Sequence, residues 1–529
     1  MDRPGISIQE DQLMRRFLAT IVLLGAAAVA VWVVRGIAIE NYKPLLFFLV
    51  GVSGMFLWFV ENRWFWPAVV AALFLQGRLQ FIPGGFTLFQ VALGFGILRF
   101  AVDVLVFKKG RIRGGPKLDQ WLIWIFVGIL LYHGFSNKFG LRVLGSDIWG
   151  GRGYIIILNA LLAYYVIQSL PYDGKAWRML PFVIFLPLGF DLFIQTVTYL
   201  VPALVNPIWR FYTGVSLAGM EEFDTTERVG AWGGVAIMLA TLTVSFFRIS
   251  EIWRPERVLG LLGVLASVGA ALYSGFRSAL FAVGLTFVIA CWRDLRGKSM
   301  FVGILGLLAL VTLPMIHTGL FPLPKQAQRA LSFMPGDWDP AMVKDAQGSL
   351  EFRQGIKDLW WEKYQPQYPW FGRGFGFDPR WADFSIERGG RSYDFYDKLI
   401  ITGNFHNGVL AVLDGVGIIG GIAIFAWTMI VLWRAWRYLT TVPFTQQHPA
   451  LRWVTLYLVV HLISSWLGGM TIALLVEPTF VLGALLLHLI TGEKEEAAAQ
   501  QLAEAKAARA PGAAARRPQR PQRPQITFR

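Results

Sequence analysis

Long apolar runs separated by short polar turns dominate the chain. They lie near residues 17–35, 43–60, 64–77, 86–107, 119–135, 154–170, 178–200, 231–247, 257–275, 278–292, 300–316, 404–433, 451–468 and 471–490. Most approach the roughly 20 residues that a helix needs to cross about 30 Å of hydrocarbon. Lipid leaves every backbone polar group to be satisfied internally, so helices are the expected spanning elements. The pattern predicts an all-α polytopic membrane protein with about 12 to 14 transmembrane helices. The run at 64–77 is short for a full crossing and also fits a re-entrant segment, and the pair at 257–292 is parted only by Ser274 to Arg277. Arg3, Arg15 and Arg16 precede the first run, Phe17 to Val34, in the manner of a signal peptide. That run is long for a secretory segment and further spans follow, so it reads as an uncleaved first helix.

Two stretches break the pattern. Residues 317–402 mix Trp, Tyr, Gly, Arg and Asp and are too aromatic for a disordered linker. They are expected to fold as short helices lying on the bundle, and loops of this length in a compact protein are commonly functional. From Thr491 a Glu-, Ala- and Gln-rich stretch predicts a short helix, followed by the Arg-Pro-Gln tail around Arg516 to Pro524. The chain thus divides into an N-terminal transmembrane bundle (1–316), a large outer loop (317–402), C-terminal transmembrane helices (403–490) and a basic cytoplasmic tail (491–529), disordered at its end. No solenoid repeat is present.

Composition agrees with lipid exposure. Hydrophobic residues make up 55% of the 529 positions and charged residues 16%, with mean hydropathy +0.50; a soluble domain carries about a quarter charged residues. The net charge of +15 does not call for a nucleic-acid partner, because the basic residues collect in short turns and in the tail. Lys108 to Arg113, Arg248 to Arg257, Arg293 to Lys298 and Arg434 to Arg437 fall on one side of the predicted spans. The positive-inside rule makes that side cytoplasmic and sets 136–153, 201–230, the Ser274–Arg277 turn and 317–402 outside. The lone cysteine, Cys291, forms no intramolecular disulfide, so the outer loop relies on packing and hydrogen bonds.

The common ATPase, zinc-protease, Cys-x-x-Cys and Gly-x-Ser-x-Gly signatures are absent. Asp337-Trp338-Asp339 matches the Asp-x-Asp pattern of metal-dependent sugar-nucleotide enzymes, but reads more simply as a solvated turn before Pro340. A more specific series runs Glu351-Phe352-Arg353, Trp360-Trp361, then Pro369-Trp370-Phe371-Gly372-Arg373-Gly374-Phe375-Gly376. Asn404-Phe405-His406-Asn407-Gly408 follows, and Leu413-Asp414-Gly415-Val416-Gly417-Ile418-Ile419-Gly420-Gly421 enters an apolar helix. Gly372, Gly374 and Gly376 suit tight turns and close backbone approach, while the helical glycines suit close packing.

In order and spacing this series resembles the O-antigen ligase and O-antigen polymerase family of bacterial membrane glycosyltransferases. That family's outer loop carries an arginine, an aromatic, Pro-x-Phe-Gly-x-Gly-Phe-Gly and then His-Asn opening a helix. Ser274-Gly275-Phe276-Arg277-Ser278 looks like the family's Gly-Ser-Arg turn, with Phe276 in place of the usual serine. Thr226 to Trp232 looks like its Arg-x-Gly-x-Phe entry into a span, with Gly233 and Gly234 where Asn or Pro often stands. The resemblance is best over residues 225–435. It implies a multi-pass protein of the bacterial cytoplasmic membrane, its active site facing the periplasm. The donor is a glycan on a polyprenyl (undecaprenyl) diphosphate, and the acceptor is a growing glycan, lipid A-core or a protein.

Arginine's fixed fork of donors suits phosphate oxygens, and near a bilayer it is costly to desolvate unless paired. Arg228, Arg277 and Arg353 are therefore the candidate diphosphate ligands, with lipid-headgroup contact or structural ion pairing as the alternative for each. For Arg152 and Arg373 that alternative is favoured. His406 is the candidate base, since an imidazole of pKa about 6.5 accepts a proton near neutral pH. Asn407 suits a helix cap. Asp394, Asp397, Glu221, Glu222 and Asp224 read as solvated or ion-paired. In this scheme Arg277, Arg353 and His406 are catalytic and no metal or cofactor takes part. The competing classes are a transporter of a lipid-linked or anionic solute and a non-catalytic scaffold of a polysaccharide assembly complex, with membrane lipids the surroundings in every case.

Overall fold

The computed structural model describes residues 59–75, 77–80, 86–108, 111–136, 140, 150–213, 230–295, 311–317, 319–377, 392–469 and 471–509. The protein is an all-α polytopic membrane protein: among these residues eight helices are long and apolar enough to cross a membrane. The run at 17–35, all but the last two residues of the run at 43–60, and the start of the run at 300–316 lie outside them.

Leaving aside the five-residue helices Gly174–Arg178 and Val205–Trp209, the helices in chain order are α1 (Asn62–Ala72), α2 (Leu88–Leu105), α3 (Lys117–Ser136), α4 (Gly151–Ser169), α5 (Leu180–Val183), α6 (Phe185–Leu200), α7 (Gly230–Phe246), α8 (Val258–Tyr273) and α9 (Arg277–Leu295). They continue as α10 (Lys325–Leu331), α11 (Pro340–Leu359), α12 (Ser392–Ile401), α13 (Gly408–Thr441), α14 (Pro449–Gly468) and α15 (Ile472–Arg509). A two-residue antiparallel pair, β1 (Arg78–Leu79) with β2 (Tyr212–Thr213), is the sheet among the described residues. At 1.5 Å per residue, α1 spans about 16 Å, too short for a crossing, so the run at 64–77 takes the shorter of its two expected forms.

Helices differ in how much lipid they face. Of the apolar window of α15, 78% is buried, against 22% for α2 and for the window that includes α8. The chain therefore wraps around α15, α14 and α13, whose Trp427 and Phe480 rings stack at 4.1 Å. Beside that pair Arg434 of α13 clamps Asp119 of α3 at 2.5 and 2.6 Å, and Tyr164 of α4 donates to the same carboxylate at 3.0 Å. The acid is fully buried, and its charge is matched inside the fold. The tail stretch 491–509 continues α15 without a break.

Helix direction sorts the loops into two poles. At one end Arg248, Arg293 and Arg452 surround the ring of Phe444 at 5.1, 4.8 and 3.9 Å, and Arg113 pairs with Glu495 at 3.1 Å. At the other end lie the α8–α9 turn, the start of α13, the end of α14 and the folded segment 325–377.

Candidate functional site

The polar segment folds because its sequence caps and staples itself. Asp339 accepts from the Ala341 N–H at 2.9 Å and so starts α11 at Pro340; the Asp-x-Asp pattern supplies a helix cap here. His317 stacks on Trp338 at 5.0 Å, and Trp338 Nε1 donates to the Met334 carbonyl at 2.8 Å. Gly355 lets α12 lie close on α11, since a Cβ there would stand 2.7 Å from the Tyr396 ring. A π-helical turn, Trp360–Tyr364, ends α11.

Arg277 opens α9 after a turn in which Gly275 takes φ +71° and Ser274 Oγ accepts from the Phe276 N–H at 3.2 Å. Its Nη2 donates to Ser332 Oγ at 2.7 Å. The charges of Arg329, Arg353 and Asp345 all act on it. Arg353 stands exposed on α11, next to Phe352. The Phe352 ring meets His406 edge-on at 5.5 Å, which sets the histidine against the turn of α11 that carries Arg353. His406 has φ +50°, a left-handed backbone uncommon outside glycine. Gly403 (φ +76°) and the fully buried Phe405 fold the chain back just before it. Asn407 then caps α13, accepting from Val409 N–H at 3.0 Å and Leu410 N–H at 3.2 Å. Arg277, Arg353 and His406 thus share the pole opposite the basic turns. Arg228, Glu221, Glu222 and Asp224 lie outside the described residues.

The glycine-rich turn sits in a gap in α13. Gly417 (φ 65°, ψ −169°) interrupts that helix. The N–H groups of Ile418 and Ile419, which lose their helical acceptors, donate to the carbonyls of Pro369 and Trp370 at 3.0 and 3.1 Å. Gly372 (φ +76°) allows this approach: a Cβ there would stand 2.6 Å from the Asp414 carbonyl oxygen and 2.7 Å from the Val416 nitrogen. Gly374 (φ +77°) faces His133 and Tyr154, and the Cα of Gly376 would lie 3.0 Å from a Cβ on Gly150. What comes close to these glycines is helix backbone and side chain.

One ion pair locks the turn. Arg373 donates to the Asp414 carboxylate at 2.8 Å and to the carbonyls of Ile400 and Ile401 at 2.9 and 3.2 Å, while its N–H bonds the Asp414 carbonyl at 2.6 Å. Trp360 Nε1 donates to the other Asp414 oxygen at 3.1 Å. Burial opposes the Arg373 charge, but Asp414 outweighs it and holds the guanidinium above its ordinary pKa. His133 meets the Phe371 carbonyl at 2.6 Å. Asp397 is likewise engaged, pairing with Lys363 and accepting from Tyr364 at 2.8 Å. Burial, then that carboxylate, pushes the Tyr364 phenol well up.

A cleft of about 1390 Å³ opens at the basic pole, and none of Arg277, Arg353 or His406 lines it. Its four cations, Arg63, Lys175, Arg178 and Arg452, face four acids, Asp173, Glu493, Glu495 and Glu496. Such balanced charge does not single out an anionic substrate, so volume and chemistry point to opposite poles, and chemistry is the stronger guide.

Residues 262–425 match the model of the O-antigen ligase family. The chain carries an O-antigen ligase domain. That domain covers the α8–α9 turn, α10 to α12, the glycine-rich turn and the first half of α13, and so contains Arg277, Arg353 and His406 but not Arg228. The match supports an O-antigen ligase-like membrane glycosyltransferase. No curated protein matches the chain.

Within the O-antigen ligase domain, sequence reasoning passed over Arg329, Ser332 and the bond between Arg373 and Asp414. Asp414 had a usable signal: an acid inside an apolar run needs a partner. Arg329 had none, since a cation in a polar segment looks like any solvated side chain.

Proposed function

We propose that the protein transfers or polymerises glycan from a polyprenyl diphosphate carrier onto an acceptor hydroxyl at the periplasmic face of a bacterial inner membrane. The observation that carries this reading is the grouping of Arg277, Arg353 and His406 at one pole, inside the matched O-antigen ligase segment and opposite the basic turns.

The two arginines take up the charge that develops on the departing diphosphate, with Arg228 a third candidate ligand. Fixed donors aimed at developing charge are commonly the largest single contribution to catalysis, and guanidinium groups fill that role here without a divalent ion. Arg353 is exposed and free to meet an incoming headgroup, whereas Arg277 is held in place by Ser332. His406 accepts the proton of the acceptor hydroxyl. The hydroxyl oxygen bonds to the anomeric carbon as the carbon–oxygen bond to the diphosphate breaks. The configuration inverts in one displacement, with no glycosyl-enzyme intermediate.

The test is product analysis with purified protein, a polyprenyl diphosphate-linked glycan of known anomeric configuration, and lipid A-core, free glycan or protein as acceptor. Transfer with inversion and release of polyprenyl diphosphate is expected. Translocation of intact donor without transfer would contradict the proposal.

A further inference from the structure

We propose that Arg329 is a positioning residue, one that sets the orientation of Arg277 through a two-bond clasp between α10 and the α8–α9 turn. The proposal rests on the reading of Arg277 as a ligand of the donor diphosphate.

The clasp is reciprocal. From the loop side, Arg329 Nη1 donates to the carbonyl of Gly275 at 2.6 Å. From the bundle side, Arg277 Nη2 donates to Ser332 Oγ at 2.7 Å, and that hydroxyl in turn donates a hydrogen bond to the Arg329 carbonyl at 2.9 Å. The donor and acceptor sites are two residues apart on the turn and three apart at the end of α10, so the bonds close a ring and leave the turn little freedom to rotate. Gly275 must be left-handed (φ +71°) to turn its carbonyl and Arg277 toward the same helix. Asp345 of α11 pairs with Arg329 and supplies the counter-charge for a guanidinium only 5% exposed. Through that acid the clasp reaches the helix that carries Arg353.

The arrangement has an electrostatic consequence. Arg277 sits among two like charges, Arg329 and Arg353, and one acid, Asp345. Three arginines against this one acid leave the cluster net positive toward an incoming anion. A long side chain repelled by its neighbours would otherwise swing away, and the Ser332 hydroxyl holds it. Displacement of a charge-stabilising group by about 1 Å costs on the order of 100-fold in rate.

The experiment measures kcat and donor KM for the full-length protein and for Arg329→Met, Ser332→Ala, Arg277→Ala and the Arg329→Met/Arg277→Ala double variant, with binding of undecaprenyl diphosphate as a readout without turnover. Arg329→Met is expected to lower kcat about 100-fold and Ser332→Ala about 10-fold, each with a smaller change in KM. In the Arg277→Ala background Arg329→Met should change kcat less than about 2-fold, because the two act through one group. Arg329→Lys, which keeps the charge but not the fork, should restore only part of the loss. Equal fold-losses in both backgrounds would overturn the proposal. Should Arg329→Met fail to fold, Ser332→Ala decides alone, since it leaves the Arg329–Asp345 pair intact: an unchanged kcat overturns the clasp. Wild-type protein that neither binds undecaprenyl diphosphate nor turns over donor refutes the proposed function and, with it, this inference. A wild type that does both, alongside a silent Arg329→Met, refutes only the inference.

Discussion

At the residue scale two side chains have roles that separate cleanly. Asp414 is 4% exposed and receives both Arg373 and Trp360. Replacing it with asparagine keeps its size but strands a buried cation, which costs about 3–5 kcal/mol. Asp414→Asn should therefore lower the denaturation midpoint in detergent markedly, and a midpoint equal to wild type would show that the pair adds nothing to the fold. His406 is different, because its left-handed backbone is one that asparagine also adopts. His406→Asn should unfold within about 1 kcal/mol of wild type, the scale of its edge contact with Phe352, yet lose about 10²- to 10⁴-fold in activity with the missing base. Parallel unfolding and turnover measurements check both halves.

At the element scale the decisive feature is the interruption of α13. Gly417 shows why part of the site was illegible in the sequence. A glycine in an apolar helix serves close packing or a left-handed break, and only the partner segment, 45 to 48 residues earlier, decides between them. The partner is Pro369 to Gly372, where the carbonyls of Pro369 and Trp370 replace the lost helical acceptors. A Cβ on Gly417 would collide with the Trp370 carbonyl and the Gly372 nitrogen, and the pair φ 65°, ψ −169° is open essentially to glycine alone. Gly417→Ala should free the 369–377 turn, seen as faster proteolysis there and a loss of about 1–3 kcal/mol; unchanged proteolysis would argue against the plugged break. By contrast, the turn at Ser274 to Arg277 and the cap at Asn407 were readable, because each depends on neighbours a few residues away. The pairing of Arg373 with Asp414, 41 residues apart, or of Arg329 with Gly275, 54 apart, leaves no local trace, although Asp414 in its apolar run signals the need for some partner.

At the scale of the whole molecule the apolar runs carried most of the information. Their lengths foretold α8, α9 and α14 closely, because span length is set by bilayer thickness, whereas α13 runs eight residues past the expected end of its span. They did not foretell the continuation of α15 to Arg509, since nothing in a Glu- and Ala-rich stretch distinguishes a new helix from an extended one. Two poles follow from these helices, and their assignment to membrane faces can be measured. With Cys291 replaced by serine, single cysteines at Gln347 and Thr440, both exposed at opposite poles, should differ under an impermeant thiol reagent on intact cells: Gln347→Cys labels and Thr440→Cys does not. The reverse pattern would put the site in the cytoplasm. The central claim, that the outer pole performs glycan transfer from a lipid diphosphate, is met most directly by the turnover of purified Arg277→Ala on that donor. A loss of about 100-fold or more with the fold intact is predicted, as for removal of a group that stabilises developing charge; wild-type turnover would contradict it.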